Sequence, residues 1–340
     1  MRPVLAFDSE VYVNYTLLLF THVETGEVIQ FEHHCTDSDS GFDPFEIEMI
    51  KGMVSTHRVI TFNGKGYDIP ILFLLLKGAT CAQLKHASDR IIVGGLKPWH
   101  FETEFNVHLD DPLLDHIDVM DVAPLTGSLK LYGGRLHSYS IQNLPIDPKA
   151  RIHTEDLELM RHYCENDCKI LIDLYRALAI PLDLREALSV EFKQDLRSKS
   201  DAQMAEAVIK SEVQNMLHKK LDKPPVVPDY QFQYHIPSWI TFRHLDILDS
   251  IRDARFMLSV KGSVVLPKEL SDKKIRIANG IYRMGIGGLH SSEKQRVVRA
   301  DDTQVILDFD VERYYPAIIL NQGLYPKHIG PAFLKVYKGL

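Results

Sequence analysis

The feature of this sequence that most constrains its fold is an apolar strand that leads directly into two carboxylates. Residues 4–7 read VLAF, and Asp8 and Glu10 follow two positions apart. Because side chains alternate between the two faces of a strand, both carboxylates project from the same face. A buried pair of this kind costs several kcal/mol unless a cation compensates its charge. We therefore expect the first strand to deliver two acids to a polar site.

The segments that follow predict a mixed α/β fold. Strands are predicted at residues 4–7, 15–20, 28–32 and 58–62, and residues 118–123 are a further strand or a strand end. Helices are predicted from Pro44, from Asp68 to about Gly78, and from Thr154 to about Ala179. Beyond an expected domain boundary at Pro181, helices at 185–196 and 200–217 precede strands and glycine-rich turns over 275–310. Leading strands with helices packed between and after them indicate an α/β sandwich.

Composition indicates an ordinary globular protein. Hydrophobic residues make up 45% of the 340 residues and charged residues 25%. No run of about 18 apolar residues could cross a bilayer, and Asp8 interrupts the stretch that a signal peptide would need. The four cysteines lack the spacing of a disulfide framework, which fits reduced thiols. We therefore expect a cytoplasmic protein without a membrane partner.

Charge is distributed unevenly along the chain. Residues 1–180 hold 26 acids and 15 Lys or Arg, whereas residues 181–340 hold 20 acids and 24 Lys or Arg. This is either a mildly polarised surface or an acidic metal-binding half joined to a half that contacts phosphates. Net charge alone does not choose between the two.

Two further acids complete a possible metal site, although each has a simpler explanation. Asp68 in FNGKGYD could cap the helix that follows it, and Asn63 could be a turn residue. Asp167 in HYCENDC could lie on a solvated helix face, with Tyr163 four residues earlier on that face. Together with Asp8 and Glu10, however, they could supply the oxygen ligands that hard divalent cations prefer.

The order and spacing of these residues resemble the three exonuclease motifs of the DEDD superfamily, in the version found in family B DNA polymerases. AFDSE resembles the first motif, D-x-E, and FNGKGYD resembles the second, N-x4-D. Tyr163 and Asp167 resemble the third, Y-x3-D. His162 also gives H-x4-D, the third motif of the histidine branch, but the family B context favours Tyr163.

This resemblance implies a ribonuclease-H-like fold and two-metal hydrolysis of the 3′-terminal phosphodiester by Mg²⁺ or Mn²⁺. The implied metal ligands are four acids: Asp8, Glu10, Asp68 and Asp167. Tyr163 would position the attacking water rather than take its proton, since a phenol with a pKa near 10 is a poor base at neutral pH. Asn63 would contact the substrate strand.

Residues 304–316, QVILDFDVERYYP, resemble motif A of family B polymerases, D-x-x-S-L-Y-P. We expect an apolar strand that leads into Asp308 and Asp310. The resemblance implies that Asp310 binds catalytic metal and that Tyr315 packs under the incoming sugar. Arg313 and Tyr314 depart from the motif, which affects nucleotide contacts more than metal ligation.

A glycine-rich stretch before motif A, residues 285–288, partly resembles the Y-x-G-G loop between exonuclease and polymerase domains. Gly287 and Gly288 there would let backbone N–H groups approach a DNA phosphate. The neighbouring basic residues are either phosphate contacts or solvated surface charges: Arg283, Lys294, Arg296 and Arg299.

Two parts of a family B polymerase are not found in the sequence: the lysine-bearing fingers helix and the second palm carboxylate. We therefore expect a proofreading exonuclease at 1–180, followed at 181–340 by a helical linker and the first part of a palm. The resemblance is strongest to bacteriophage enzymes, which implies the host cytoplasm. A missing C-terminal part or a second polypeptide would complete the polymerase, and this chain alone would not polymerise.

The expected partner is DNA, as a single-stranded 3′ end or a primer–template. Two alternatives stay open: a free-standing DEDD exonuclease that acts on RNA, and a non-catalytic assembly subunit with a decayed site. The motif A stretch argues against the first. The presence of all four acids argues against the second, since a decayed site would be free to lose any of them.

Overall fold

A computed structural model describes residues 2–36, 39–111, 114–241, 245–278, 280–292, 294–295 and 297–340. The chain divides into two compact units, Met1–Val208 and Ile209–Leu340. This division falls later than the expected boundary at Pro181, which lies in the first turn of a helix, Ala179–Phe192. Proline is tolerated there because the first turn leaves its N–H groups without intrahelical partners. The assignment of an exonuclease to 1–180 and of a palm to 181–340 stays a prediction.

The first unit is built on a mixed five-stranded sheet. Its strands are β1 (Val4–Tyr12), β2 (Tyr15–His22), β3 (Val28–His34), β4 (Arg58–Thr61) and β5 (His116–Asp118). They lie in the order β3-β2-β1-β4-β5. Strands β1 to β3 form an antiparallel meander, and β4 and β5 run parallel to β1. The strands expected at 4–7, 15–20, 28–32 and 58–62 are confirmed, and β1 continues through both acids to Tyr12. At 118–123 only a strand end is found, because β5 ends at Asp118.

Helices cover the sheet on both faces. They are α1 (Pro44–Thr56), α2 (Asp68–Leu75), α3 (Cys81–Ile92), α4 (Pro98–Phe105), α5 (Leu129–Arg135), α6 (Leu157–Ala177), α7 (Ala179–Phe192) and α8 (Asp201–Leu217), the last contributing to both units. Local chemistry explains where several begin: Asp43 and Glu46 form a capping box at α1, and Thr80 and Gln83 do so at α3. Across the described ranges, no helix combines the length and apolarity needed to cross a membrane.

Strand β1 divides the core of the first unit into two layers. Leu5, Phe7 and Val11 pack with helices α1 to α4, whereas the even-numbered residues, such as Val4 and Ala6, pack with α5 and α6. Asp8 and Glu10 are also even-numbered, so they lie on the α6 side of the sheet. The expectation that these two acids share a face is confirmed.

The second unit consists of small sheets and short helices. Its elements are β6 (Gln231–Gln233), α9 (Leu245–Asp253), β7 (Arg255–Leu258), β8 (Val264–Val265), α10 (Lys268–Ser271), β9 (Lys274–Ile277), β10 (Gly280–Gly285), β11 (Gly288–Ser291), α11 (Tyr314–Gln322) and α12 (Ala332–Gly339). The expected strand before Asp308 is wrong, because residues 304–310 form no strand. An apolar strand needs a hydrogen-bonded neighbour, and no described strand pairs with this segment.

Candidate active site

Strand β1 brings Asp8 and Glu10 beneath helix α6. Both side chains are half-buried. The Cys164 thiol of α6 donates a hydrogen bond to Asp8 Oδ2 at 3.3 Å. Burial, reinforced by the charge of Asp8, raises the pKa of Cys164, so it remains a protonated donor. Cys164 and Cys168 are free thiols buried in the core, as expected of reduced cysteines, and Cys164 also contacts the site.

Asp68 is linked through a serine to β1, the strand that carries Asp8 and Glu10. Asp68 is the first residue of α2, and Tyr67 holds the cap position without a side-chain capping bond. The alternative reading of Asp68 as a helix cap is therefore wrong. Instead, Ser9 Oγ donates a 2.7 Å hydrogen bond to Asp68 Oδ1. The Asp68 side chain is buried, with 4% exposure, and its charge helps to raise the pKa of both Asp8 and Glu10.

The loop before Asp68 is held by Asp118, a carboxylate that the sequence did not single out. Asn63 has the left-handed conformation, with φ of 65°, as expected of a turn residue. Asp118 Oδ1 accepts the Asn63 N–H at 2.9 Å, and Asp118 Oδ2 accepts the Lys65 N–H at 3.0 Å. These bonds use only backbone N–H groups. The Asn63 side chain itself is exposed to solvent, where a substrate strand could reach it.

Helix α6 turns Asp167 and Tyr163 inward. Their exposures are 7% and 5%, so the alternative of a solvated face is wrong for Asp167. One oxygen of Asp167, Oδ1, is buried without a hydrogen-bond donor among the residues described. His162 lies on the outer face, its side chain 66% exposed and near Glu158. Of the two candidates for the third motif, Tyr163 is the one that reaches the carboxylates.

Lys130 of α5 completes the surroundings of Tyr163. Its Nζ donates a 2.7 Å hydrogen bond to the Tyr163 hydroxyl oxygen and lies 4.7 Å from the ring centre. Its positive charge opposes the rise in the pKa of both Glu10 and Asp167. Sequence reasoning missed Lys130, because nothing in its local pattern distinguishes it from an ordinary helix lysine.

The four acids form one electrostatic cluster. Burial raises the pKa of Asp8, and the charges of Asp68, Glu10 and Asp167 raise it further. Burial and the charges of Asp167 and Asp68 raise the pKa of Glu10 to about 8. Burial raises the pKa of Asp68 to about 7, against the Ser9 hydrogen bond, and it also raises that of Asp167. Four acids that hinder one another's ionisation need a compensating charge.

The donor chemistry of the cluster fits a divalent cation. All four donors are carboxylates, the ligands that Mg²⁺ and Mn²⁺ prefer. A cation would also satisfy the unpartnered Oδ1 of Asp167. Among the described residues, however, no group of three or more His, Cys, Asp or Glu is arranged to hold an ion. The fold thus places the carboxylates close enough to raise one another's pKa, without the tight arrangement of a formed ion site.

The candidates of the second unit do not form a comparable cluster. Asp310 is exposed, and its Oδ1 accepts the N–H of the next residue at 2.9 Å. Tyr315, in the first turn of α11, is 62% exposed. Gly287 and Gly288 lie at the turn from β10 to β11, where Gly288 has φ of 138°. Arg296 lies outside the described residues.

Comparison with known proteins leaves the family of the chain open. No protein-family model matches the sequence, and no curated protein matches it. Function is therefore inferred from the residues and their geometry.

Proposed function

We propose that the first unit is a divalent-cation-dependent 3′–5′ exonuclease that acts on DNA, the proofreading part of a family B DNA polymerase. One observation carries the proposal: Asp8 and Glu10 of β1, Asp68 of α2 and Asp167 of α6 meet in a single electrostatic cluster. These acids come from three distant segments, and their order matches the exonuclease motifs. Structural acids rarely accumulate in this way, because each raises the cost of ionising the others.

The architecture supports the ribonuclease-H-like part of the proposal. A mixed sheet with an antiparallel meander first and two parallel strands after it is compatible with that fold. The acids lie on the central strand and on helices at its side, as the resemblance implies. Fold alone would not establish an activity, so the proposal depends on the cluster.

When bound, two Mg²⁺ or Mn²⁺ ions would supply the nucleophile and stabilise the leaving oxygen. Asp8, Glu10, Asp68 and Asp167 would hold them. Burial and the neighbouring carboxylates raise the pKa of Tyr163, so its phenol keeps its proton and positions the attacking water by hydrogen bonding. Lys130 holds that phenol in place, and the exposed side chain of Asn63 would contact the substrate strand.

The polymerase part of the proposal depends on residues 304–316 and on the glycine turn. We propose that Asp310 and Tyr315 belong to the first part of a palm that a further segment or a second polypeptide completes. A single palm carboxylate does not support two-metal nucleotidyl transfer. Primer extension by the purified 340-residue chain would overturn this part.

The test of the exonuclease is a cleavage assay with 5′-labelled substrates in Mg²⁺ or Mn²⁺. Single-stranded, mismatched and 3′-recessed DNA are compared with an RNA strand, using wild type, Asp8→Ala and Asp167→Ala. Glu158→Ala is the matched control, because Glu158 is an exposed acid of α6. Stepwise 3′ shortening of DNA that only the first two variants lose supports the proposal. Equal activity in all four proteins contradicts it, and a preference for RNA would replace the substrate.

A further inference from the structure

We propose that the outer face of the sheet formed by β9, β10 and β11 binds the phosphate backbone of duplex DNA. The face is defined by four side chains: Lys274, Arg276, Arg283 and His290. Naming DNA as the polyanion rests on the proposed function, whereas the cationic face itself follows from strand register and exposure.

Strand register brings these side chains to one face. Arg283 of β10 is paired with Lys274 of β9 on one side and with His290 of β11 on the other. Directly paired residues of antiparallel strands project from the same face, so these three form a row across the sheet. The row spans about 10 Å, given a strand spacing of about 4.8 Å. Arg276 lies two positions from Lys274 on β9, and it therefore joins the same face.

The opposite face of the sheet is occupied by the core of the second unit. Ile275 is 5% exposed, and Met284 packs against the cluster that contains Phe256 and Leu270. Both residues alternate with the cationic ones along their strands. The sheet is thus packed on the core through its apolar face, and the side chains of Lys274, Arg276, Arg283 and His290 are exposed.

The four side chains of this face do not pair with neighbouring acids. Within the described ranges, none of the four forms an ion pair with a carboxylate, in contrast to Arg252, which pairs with Asp249 at 2.8 Å. The second unit as a whole holds 20 Lys or Arg against 14 Asp or Glu. The unpaired charges of Lys274, Arg276 and Arg283 repel one another unless an anion lies against them.

A glycine beside the row explains the position of His290. A Cβ built on Gly285 would lie 2.9 Å from the His290 ring, so the absence of a side chain there leaves room for the imidazole. The surface beside His290 is therefore shallow. None of the described residues on this face is Phe, Tyr or Trp. Bases are usually held by aromatic stacking, whereas phosphates need only cations. The face therefore fits a backbone that is bound without regard to sequence.

The test is the salt dependence of DNA binding in EDTA, where no cleavage occurs. The variant is Lys274→Gln/Arg276→Gln/Arg283→Gln, in the full chain. Lys327→Gln/Lys335→Gln/Lys338→Gln is the matched control, since it removes three exposed charges from the same unit. Fluorescence anisotropy measures binding to a labelled duplex, a single strand and phosphatidylserine vesicles between 50 and 200 mM salt, roughly the range over which phosphate contacts dominate.

For duplex DNA, loss of three phosphate contacts should reduce the slope of log K against log salt by about 2.7, and by about 2 for a single strand. The control should keep the wild-type slope, and two duplexes of different sequence should behave alike. Equal slopes in the variant and in wild type would overturn the inference. So would a loss of vesicle binding with DNA binding unchanged.

Failure of this inference is separable from failure of the proposed function. The variant leaves the carboxylate cluster intact, so its cleavage of a short oligonucleotide in Mn²⁺ should equal that of wild type. If the proteins cleave DNA but the variant keeps the wild-type salt slope, only the inference about the cationic face is overturned. If the proteins do not cleave DNA but the salt slope of the variant is reduced, only the exonuclease proposal is overturned.

Discussion

Replacing Glu10 by glutamine should make the cation-free protein more stable at alkaline pH. The pKa of Glu10 is raised from 4.5 to about 8 by burial and by the charges of Asp167 and Asp68. The folded protein thus holds a proton that the unfolded chain releases. The resulting stabilisation is fully present below pH 4.5 and is lost as the pH rises through 8.

The size of the effect follows from the shift. At roughly 1.4 kcal/mol per pKa unit, ionising Glu10 in the folded protein costs on the order of 4–5 kcal/mol. Because the side chain is only half-buried, solvent reduces this, and we expect Glu10→Gln to gain about 2–4 kcal/mol over wild type at pH 8. At pH 4 the two proteins should have similar free energies of unfolding. The pKa of Asp8 should also fall, since the charge of Glu10 contributes to its rise.

Urea unfolding in EDTA at pH 4, 6 and 8 measures the effect. Glu158→Gln is the control, because its exposed carboxylate should leave the pH dependence of stability unchanged. Added Mn²⁺ at pH 8 should reverse the order, since wild type gains the stabilisation of a bound cation and Glu10→Gln gains less. If Glu10→Gln follows the wild-type profile, or is less stable at pH 8 in EDTA, the electrostatic account of the cluster is wrong.

Three further predictions concern the neighbours of the cluster. Tyr163→Phe should slow DNA cleavage by about tenfold or more through a misplaced water, whereas His162→Ala should not; the reverse in single-turnover assays would assign the histidine branch. Lys130→Gln should move the rising limb of the pH–rate profile to higher pH, because its charge opposes the raised pKa of Glu10 and Asp167; an unmoved limb would contradict this. Ser9→Ala should cost about 1–3 kcal/mol of unfolding free energy, since the buried Asp68 loses its side-chain donor; unchanged urea midpoints would refute it.

Local patterns predicted the first unit well. The strands β1 to β4 and helices α1, α2 and α6 follow from apolar periodicity and capping residues, which act within a few residues. Asp8 and Glu10 were expected on one face because strand geometry alone determines it. The helix after Asp68 was also expected. The local sequence, however, does not distinguish Asp68 as a helix cap from Asp68 as a metal ligand.

The remaining features depend on contacts between distant residues. Ser9 and Asp68 are 59 positions apart, and Lys130 and Tyr163 are 33 apart, so no local window contains either pair. The strand expected at 304–310 failed for the same reason, since its apolar pattern is satisfied only by a neighbouring strand. Pro181 was taken as a boundary, although a first-turn proline also begins a helix.

Counting bound Mn²⁺ tests most directly whether the four acids form one cation site. Electron paramagnetic resonance of free Mn²⁺, titrated with the chain at pH 8, gives the number of ions held. Wild type should bind two, as two-metal hydrolysis requires, whereas Asp8→Ala and Asp167→Ala should each bind fewer and more weakly. Glu158→Ala should match wild type. If wild type binds no Mn²⁺, or if the two variants bind as it does, the carboxylate cluster is not a metal site.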